Sequence, residues 1–427
     1  MDIISNVYSH VKLPFFKKIL IGTSRKWLQL DFARITAMAL LKGFQPVFLK
    51  EFLQEKDIEY NKDDININFR SMDYRGINLF EVTQYQIFVD LQIFKSDIDF
   101  FNPAHTQVIK KWFRRAAAFI DYILDSFQIH KYHKVIIFQG YLYESAILRW
   151  ICIERGIQVV AVENTFNKDR IIWDNISGIS VNKNLSRNFL WRYERITDPR
   201  VSMNYSINFI KNIKLFKQIE HRSPKNNLIF NRTGKTIFFI GQVLTDASTL
   251  FGINDFLSPV SIINELVQYV TDRKHTLIIK LHPKELYNTG IYNSLTHRKI
   301  IASDPLYSLI MESENIIYDH ENNFNTYSII RASDICVTIN SQAGLEALLL
   351  GKNVITCGEA FYDCLKATHS AQNKRELIYL LDLLLKKGFD EAHIDEVYKF
   401  FYIFNEKNCM KRNEKSFLKL FFTTSII

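Results

Sequence analysis

Short apolar runs alternate with longer amphipathic stretches along most of the chain. Lys18 to Gly22 and Pro46 to Leu49 read as strands, with a helix over Arg25 to Leu41 between them. Lys134 to Phe138 and Gln158 to Val162 read the same way around a helix from Tyr141 to Arg155 that stops at Gly156. Residues 55–130 are less regular and read as mostly helical. In the second half, Thr236 to Ile240 and Thr276 to Leu281 are strands flanking a helix over Pro259 to Thr271. A helix over Phe324 to Arg331 follows, and from Lys374 onward the pattern is helical. Alternating strands and helices of this length predict parallel sheets with helices on their faces.

The polar segment RSPKNNLIFNRTG (222–234) interrupts the alternation, which then restarts. At 427 residues the chain is too long for one ordinary core. The expected division is a Rossmann-like domain over 1–225, a second nucleotide-binding-like α/β domain over 226–390, and helices over 391–427 packing back on the first domain. Two such α/β domains facing a central cleft is the GT-B architecture. A fold of this kind does not by itself give a function. No GxGxxG and no GxxxxGK[ST] occurs, which disfavours a dinucleotide oxidoreductase or a P-loop NTPase.

The densest signal is DICVTINSQAGLEALLLGKNVITCGEAFYD (334–363). An apolar run stops at Asn340-Ser341, a helix opens there and closes at Gly351, and a second apolar run follows. Ser341 is a good N-cap, and Gly344 would let a ligand approach the first turn. Free N–H groups at such a helix start suit a phosphate, while leucines at helical spacing equally describe a capped core helix. Glu346 could accept from ribose hydroxyls.

Two further segments follow strand ends. In IGQVLTDAS (240–248), Gln242 and Asp246 are polar residues of a turn. Asp246 reads either as a nucleophile or base on a sugar, or as a turn or N-cap residue. In KLHPKE (280–285), Pro283 stiffens the turn, and Lys280 and His282 either contact a phosphate or lie on the surface.

GQVxxDAS, xHPxE and NSxxGLEALLxGKxVxxxGxAFYD, in this order, resemble the bacterial capsular polysaccharide synthesis family over 236–363. That resemblance implies a GT-B, retaining β-Kdo transferase-like enzyme that uses CMP-Kdo. It implies Asp246 as the carboxylate that attacks the anomeric carbon, His282 and Pro283 at the nucleotide, and Ser341 and Gly344 near the donor phosphate, with Glu346 matching Gly-x-Glu. Gln342 stands where many members have Thr. In the first half, VVAVENTF (159–166) resembles the family's strand with an acidic cleft residue, which matches Glu163 and Asn164 and makes Glu163 the candidate base.

The net charge of +9 fits a solvated basic surface, an anionic donor or acceptor, or an anionic membrane face. Nucleic acid is not an expected partner, because no zinc-finger spacing, RNA-binding aromatic motif or Lys/Arg block occurs. Five cysteines without a CxxC pair argue against a disulfide framework or zinc site and for a reducing compartment. No secretory signal is read at the N-terminus, and no apolar run approaches the ~18 residues that span a bilayer.

The expectation is therefore a cytoplasmic glycosyltransferase of capsule polysaccharide biosynthesis, at most peripheral to the inner face of the membrane. It would take a nucleotide-sugar donor and a glycan or lipid-linked acceptor, with no cofactor and no metal. The alternatives are a UDP- or GDP-sugar transferase, an epimerase of similar architecture, or a non-catalytic assembly or export component. The basic, aromatic C-terminus reads as an interfacial helix or as a terminal helix packed on the first domain.

Overall fold

The computed structural model describes residues 16–23, 28–49, 71–165, 167–175, 183–212, 226–228, 230, 234–285 and 295–422. The helix start expected at Arg25, positions 55–70, parts of the 222–234 segment and residues 423–427 lie outside the described residues.

In chain order the first half runs β1 (Lys17–Gly22), α1 (Phe32–Leu40), β2 (Phe44–Phe48), the hairpin β3 (Asp73–Tyr74) and β4 (Ile77–Asn78), α2 (Leu79–Leu91), α3 (Pro103–Asp121), β5 (Lys134–Phe138), α4 (Tyr143–Glu154), β6 (Gln158–Asn164) and β7 (Arg170–Asp174). The chain continues through α5 (Lys183–Tyr193), α6 (Pro199–Lys211), β8 (Thr236–Ile240), α7 (Ala247–Gly252), α8 (Pro259–Arg273), β9 (Thr276–Lys280), α9 (Leu295–Ala302), α10 (Asp304–Glu312) and β10 (Ile316–Asp319). It ends with α11 (Thr326–Ala332), β11 (Ile335–Thr338), α12 (Gln342–Leu349), β12 (Asn353–Thr356), β13 (Thr368–Ser370), α13 (Lys374–Lys387), α14 (Ile394–Ile403), β14 (Cys409–Lys411) and α15 (Glu414–Phe417). Helix starts follow local chemistry. Asn102 caps α3, Ser258 caps α8, and each is followed by proline at the first helical position, where the missing N–H has no partner to lose.

The chain divides into two compact units, one formed by 1–91, 99–185 and 405–427, the other by 92–98 and 186–404. Each is a doubly wound α/β unit, and two of them in one chain is the GT-B class. The first has a six-stranded sheet in the order β14-β7-β6-β5-β1-β2. Strands β6, β5, β1 and β2 are parallel, whereas β7 and β14 are antiparallel additions at the other side.

The residues after Phe404 return to this sheet. Cys409 pairs with Ile172 and Lys411 with Arg170. Phe417, Leu418, Leu420 and Phe421 join the core that contains Ile19, Phe48, Ile136 and Val160. Each such side chain contributes roughly 1.5–3 kcal/mol of burial. Lys134, buried at the start of β5, donates through Nζ to the carbonyls of Leu420 (2.7 Å) and Phe421 (3.2 Å). Burial, with a smaller push from Lys17, lowers its pKa to about 8.

The second unit has a six-stranded parallel sheet in the order β10-β9-β8-β11-β12-β13. Taken from β8, the strands run 3-2-1-4-5-6, the order of nucleotide-binding sheets. Every residue of β8, β9, β11 and β12 is buried. That explains why they read as unbroken apolar runs, since parallel strands are covered on both faces.

Two boundaries differ from the sequence reading. The polar 222–234 segment lies between α6 and β8, inside the second unit rather than at its border. Helix α6 already belongs there, because Phe209 packs on Phe401 of α14 at 4.6 Å between ring centroids. Residues 391–404 also stay with the second unit, and β14 is a strand where the pattern read helix throughout. Three residues are too few to show a period.

Candidate functional site

A parallel sheet of this order binds ligands beyond the carboxyl ends of its strands, where the order reverses. In the second unit the reversal falls between β8 and β11. The loops there carry Gln242 and Asp246 on one side and Asn340 and Ser341 on the other.

These loops are latched together. Gln242 donates through Nε2 to Asn340 Oδ1 (2.8 Å), and its Oε1 accepts from the Asn340 backbone N–H (2.9 Å) and from Thr338 Oγ1 (3.3 Å). The backbone donor fixes which way the Gln242 amide points. Asn340 Nδ2 then donates to the carbonyl of Ser248 (2.7 Å), tying in the start of α7. No Cβ fits at Gly241, where it would stand 2.6 Å from the Lys280 carbonyl, so the exits of β8 and β9 run against each other.

Asp246 is exposed at the first turn of α7. Its Oδ1 accepts from the backbone N–H of Ser248 (2.9 Å) and from Ser248 Oγ (2.7 Å). It is thus an N-cap, and the same bonds hold the carboxylate in one orientation at the sheet edge.

The other loop begins α12. Ser341 Oγ accepts from Ala343 N (3.2 Å), and the Ser341 carbonyl accepts from Gly344 N (2.9 Å). That leaves the Gln342 N–H as the first-turn donor for a ligand. Gly344 has a different cause from the one expected. A Cβ there would stand 2.1 Å from Tyr362 Oη, so the glycine makes room for a buried ring, not for a ligand. The Tyr362 hydroxyl donates to the Ser341 carbonyl (2.6 Å) and so holds the turn.

Glu346 also departs from expectation. It is buried and accepts from Tyr327 Oη (2.7 Å) on α11, so its contacts are internal rather than those of a ribose-binding group. Burial, reinforced by Glu346, pushes the Tyr327 phenol well above its usual range.

Lys280 is likewise taken. Its Nζ lies 2.6 Å from Asp319 Oδ2 in an ion pair with side chains 4% and 0% exposed. Burial lowers the lysine pKa, and Asp319 opposes that. Asp319 also accepts from the backbone N–H groups of Asn323 (2.6 Å) and Phe324 (3.2 Å), so the pair shapes the loop after β10. His282, half-buried at the exit of β9, accepts through Nδ1 from Lys284 N (3.1 Å). When neutral its proton therefore sits on Nε2, which makes it a donor. Pro283 opens the short turn that makes this contact possible.

The short turn after β9 and the elements around α9 and β10 carry groups that the sequence did not suggest. Glu285 is buried and accepts from Leu244 N (3.1 Å) and from Thr296 Oγ1 (2.7 Å), fastening the β8 loop to α9. Burial raises its pKa against those bonds. His297 and His320 stack at 4.4 Å between centroids, and His297 Nδ1 lies 2.8 Å from Tyr318 Oη.

On the first unit, Glu163 is half-buried at the end of β6 and accepts from Gln139 Nε2 (2.7 Å). Asn164 follows it in the same strand. Among the described residues, no group of three or more His, Cys, Asp or Glu is arranged to hold a metal ion. No helix among them is long and apolar enough to cross a membrane. The five cysteines are unpaired, and burial pushes the Cys336 thiol up to about 12.

The family model described as capsule polysaccharide biosynthesis protein matches residues 180–377. That match spans a little under half of the chain. All the second-unit candidates lie inside the matched segment, and Glu163 lies outside it. No curated protein matches the chain.

Among solved structures, the chain is similar to Thermosulfurimonas dismutans KpsC, a beta Kdo 2,4 transferase, at 16% identity and TM-score 0.42, covering 63% of this chain and 79% of that one. It is similar to the beta Kdo 2,7 transferase of the same KpsC at 20% identity and TM-score 0.37, over 56% and 70%. It is also similar to Methanocaldococcus jannaschii UDP-GlcNAc 2-epimerase at 11% identity and TM-score 0.34, over 90% and 98%. The strand order of each unit, not these distant likenesses, establishes the fold.

Within the family segment, Tyr362 and Asp363 of the AFYD tail are packing residues. Asp363 accepts from Ala360 N (2.8 Å) and Thr356 Oγ1 (3.1 Å), which positions Tyr362 under the α12 turn. The available signal was a glycine at the start of a helix with a tyrosine shortly beyond the next strand.

Proposed function

We propose that the protein is a glycosyltransferase of capsule polysaccharide biosynthesis, transferring Kdo from CMP-Kdo with retention. The observation that carries this reading is Asp246, an exposed and oriented carboxylate at the switch point of a nucleotide-type sheet, in a loop latched to the start of α12. The family of residues 180–377 supports the pathway.

In this reading the donor phosphate meets the Gln342 N–H and the positive end of α12, with Nε2–H of His282 as a second donor. An Asp246 carboxylate oxygen forms a bond to the anomeric carbon as the bond to the CMP oxygen breaks. The charge that develops on CMP is stabilised by those donors. An acceptor hydroxyl then attacks the same carbon, Asp246 leaves as carboxylate, and the proton passes to a general base. Two displacements give net retention. The leaving group carries a single phosphate, so no metal or cofactor enters the scheme.

The test is a transfer assay with CMP-Kdo and an oligosaccharide or lipid-linked acceptor. Asp246→Asn should lower turnover by more than about 1,000-fold, as expected for loss of a nucleophile. Near-wild-type turnover would falsify the assignment of Asp246. Thermal shift separates the donors. CMP should stabilise the protein, and stabilisation by UDP or GDP alone would transfer the reading to a UDP- or GDP-sugar enzyme.

A further inference from the structure

We infer that the amino-terminal edge of the first unit's sheet docks on an anionic lipid bilayer. Four separated segments converge at this edge. Lys17 N donates to the Gly43 carbonyl (3.0 Å), beside Lys42, and His133 N donates to the Lys18 carbonyl (2.9 Å). Lys42 Nζ lies 5.8 Å from the ring centroid of Phe422, which stands edge-on to Phe44 at 4.8 Å. The Lys134 ammonium, buried beneath, holds the 420–421 carbonyls and so brings Lys419 and Phe422 to the same edge.

Lys17, Lys42, Lys131 and Lys419 are all exposed here, and none forms an ion pair among the described residues. Burial, together with Lys17 and Lys134, lowers the pKa of His133, an independent sign of how closely the cations gather. The acid of the last segment, Glu414, is already engaged by Arg34 and by the backbone N–H of Asp31.

Two apolar side chains stand bare among these cations. Leu41 is 89% exposed and Phe422 is 52% exposed. A nucleic-acid surface has use for the lysines but none for an uncovered leucine. A bilayer uses both, because apolar side chains enter the interface while lysines meet anionic headgroups. The sequence left the C-terminus as either an interfacial helix or a packed one. The structure packs Phe417 to Phe421 and exposes Phe422, so the docking element is the edge of the sheet and not a detached helix. This inference stands on the first unit alone and does not depend on the sugar-transfer reading.

The test is co-sedimentation with vesicles of phosphatidylcholine alone and of phosphatidylcholine with about one third phosphatidylglycerol, at low and high salt. Wild type should bind the anionic vesicles far more tightly than the neutral ones, and salt should weaken binding. Each basic residue near an anionic surface is worth about a fivefold change in affinity. Lys42→Glu with Lys419→Glu should therefore weaken binding by about 30-fold or more while the melting temperature stays within a few degrees. Leu41→Ser with Phe422→Ser should weaken it in high salt as well, where only the apolar contribution remains. Equal binding by wild type and the charge-reversed variant would overturn the proposal. So would tighter binding to duplex DNA than to anionic vesicles, or vesicle binding abolished by free glycerol phosphate at modest concentration.

Discussion

Both sheets send a glutamine out of a strand at their carboxyl edge, and the two are used differently. Gln139, after β5, has a left-handed backbone (φ 59°) and donates to the Glu163 carboxylate. Gln242, after β8, both donates to and accepts from Asn340. The first arrangement presents a charged group, whereas the second fastens two loops to each other. Around Gln242 the same habit repeats, with Lys280 bound to Asp319, Glu285 to the β8 loop and Tyr362 to the α12 turn. The second unit spends its polar groups on fixing the geometry of the edge. Donors aimed at a ligand then need no rearrangement when charge develops.

This contrast can be broken at the second edge first. Lys280→Ala leaves Asp319 buried without its counter-charge and should cost about 3–5 kcal/mol in denaturant unfolding. If the variant instead keeps its stability and loses only CMP affinity, Lys280 contacts the ligand and the edge is not clamped as described.

The next largest effect lies in the first unit and depends on pH. Lys134 has a pKa of about 8 when folded, against 10.5 in the unfolded chain, chiefly through burial. Below pH 8 both states hold the proton and stability does not change on this account. Above it, the folded lysine gives up its proton first, the unfolded chain binds more protons, and stability rises with pH up to about 10.5. That rise is worth about 3 kcal/mol at most. Lys134→Met should abolish it, read as the difference between the two pH–stability curves. Parallel curves would mean that the lysine is not desolvated.

Gly344→Ala forces Tyr362 off the α12 turn and should cost about 1–3 kcal/mol as overpacking. Pairing it with Tyr362→Phe should recover part of that loss. The smallest effect sharpens the comparison most. Asp246→Asn keeps a good N-cap and should change stability by less than about 0.5 kcal/mol while removing turnover. A large stability loss would make Asp246 one more fastener.

The strands of the second sheet were legible because burial on both faces turns them into plain apolar runs. The loops after them were legible too, since Gln242, Asp246, His282 and Ser341 stand at the ends of those runs. The partners of several site residues were not. Lys280 meets Asp319 39 positions later, Glu346 meets Tyr327 19 positions earlier, and Ser341 meets Tyr362 21 positions later. A residue read without its partner looks available, and three of these look like ligand contacts for that reason. β7 and β14 escaped notice because antiparallel edge additions of a few residues carry no period of their own.

The return of the C-terminal segment also bears on how the protein is made. The buried Lys134 ammonium waits for carbonyls 286 and 287 positions further along, and Arg412 caps Arg170 from 242 positions away. On the ribosome, the first sheet is translated long before the strand and side chains that close its edge. Until those residues emerge, β7 offers an open edge and the core lacks four of its apolar side chains. The second unit, contiguous but for one short segment, can close first. Closure in that order would invert the usual one, in which the N-terminal domain folds before the rest. The nascent first unit is the form on which chaperones would act.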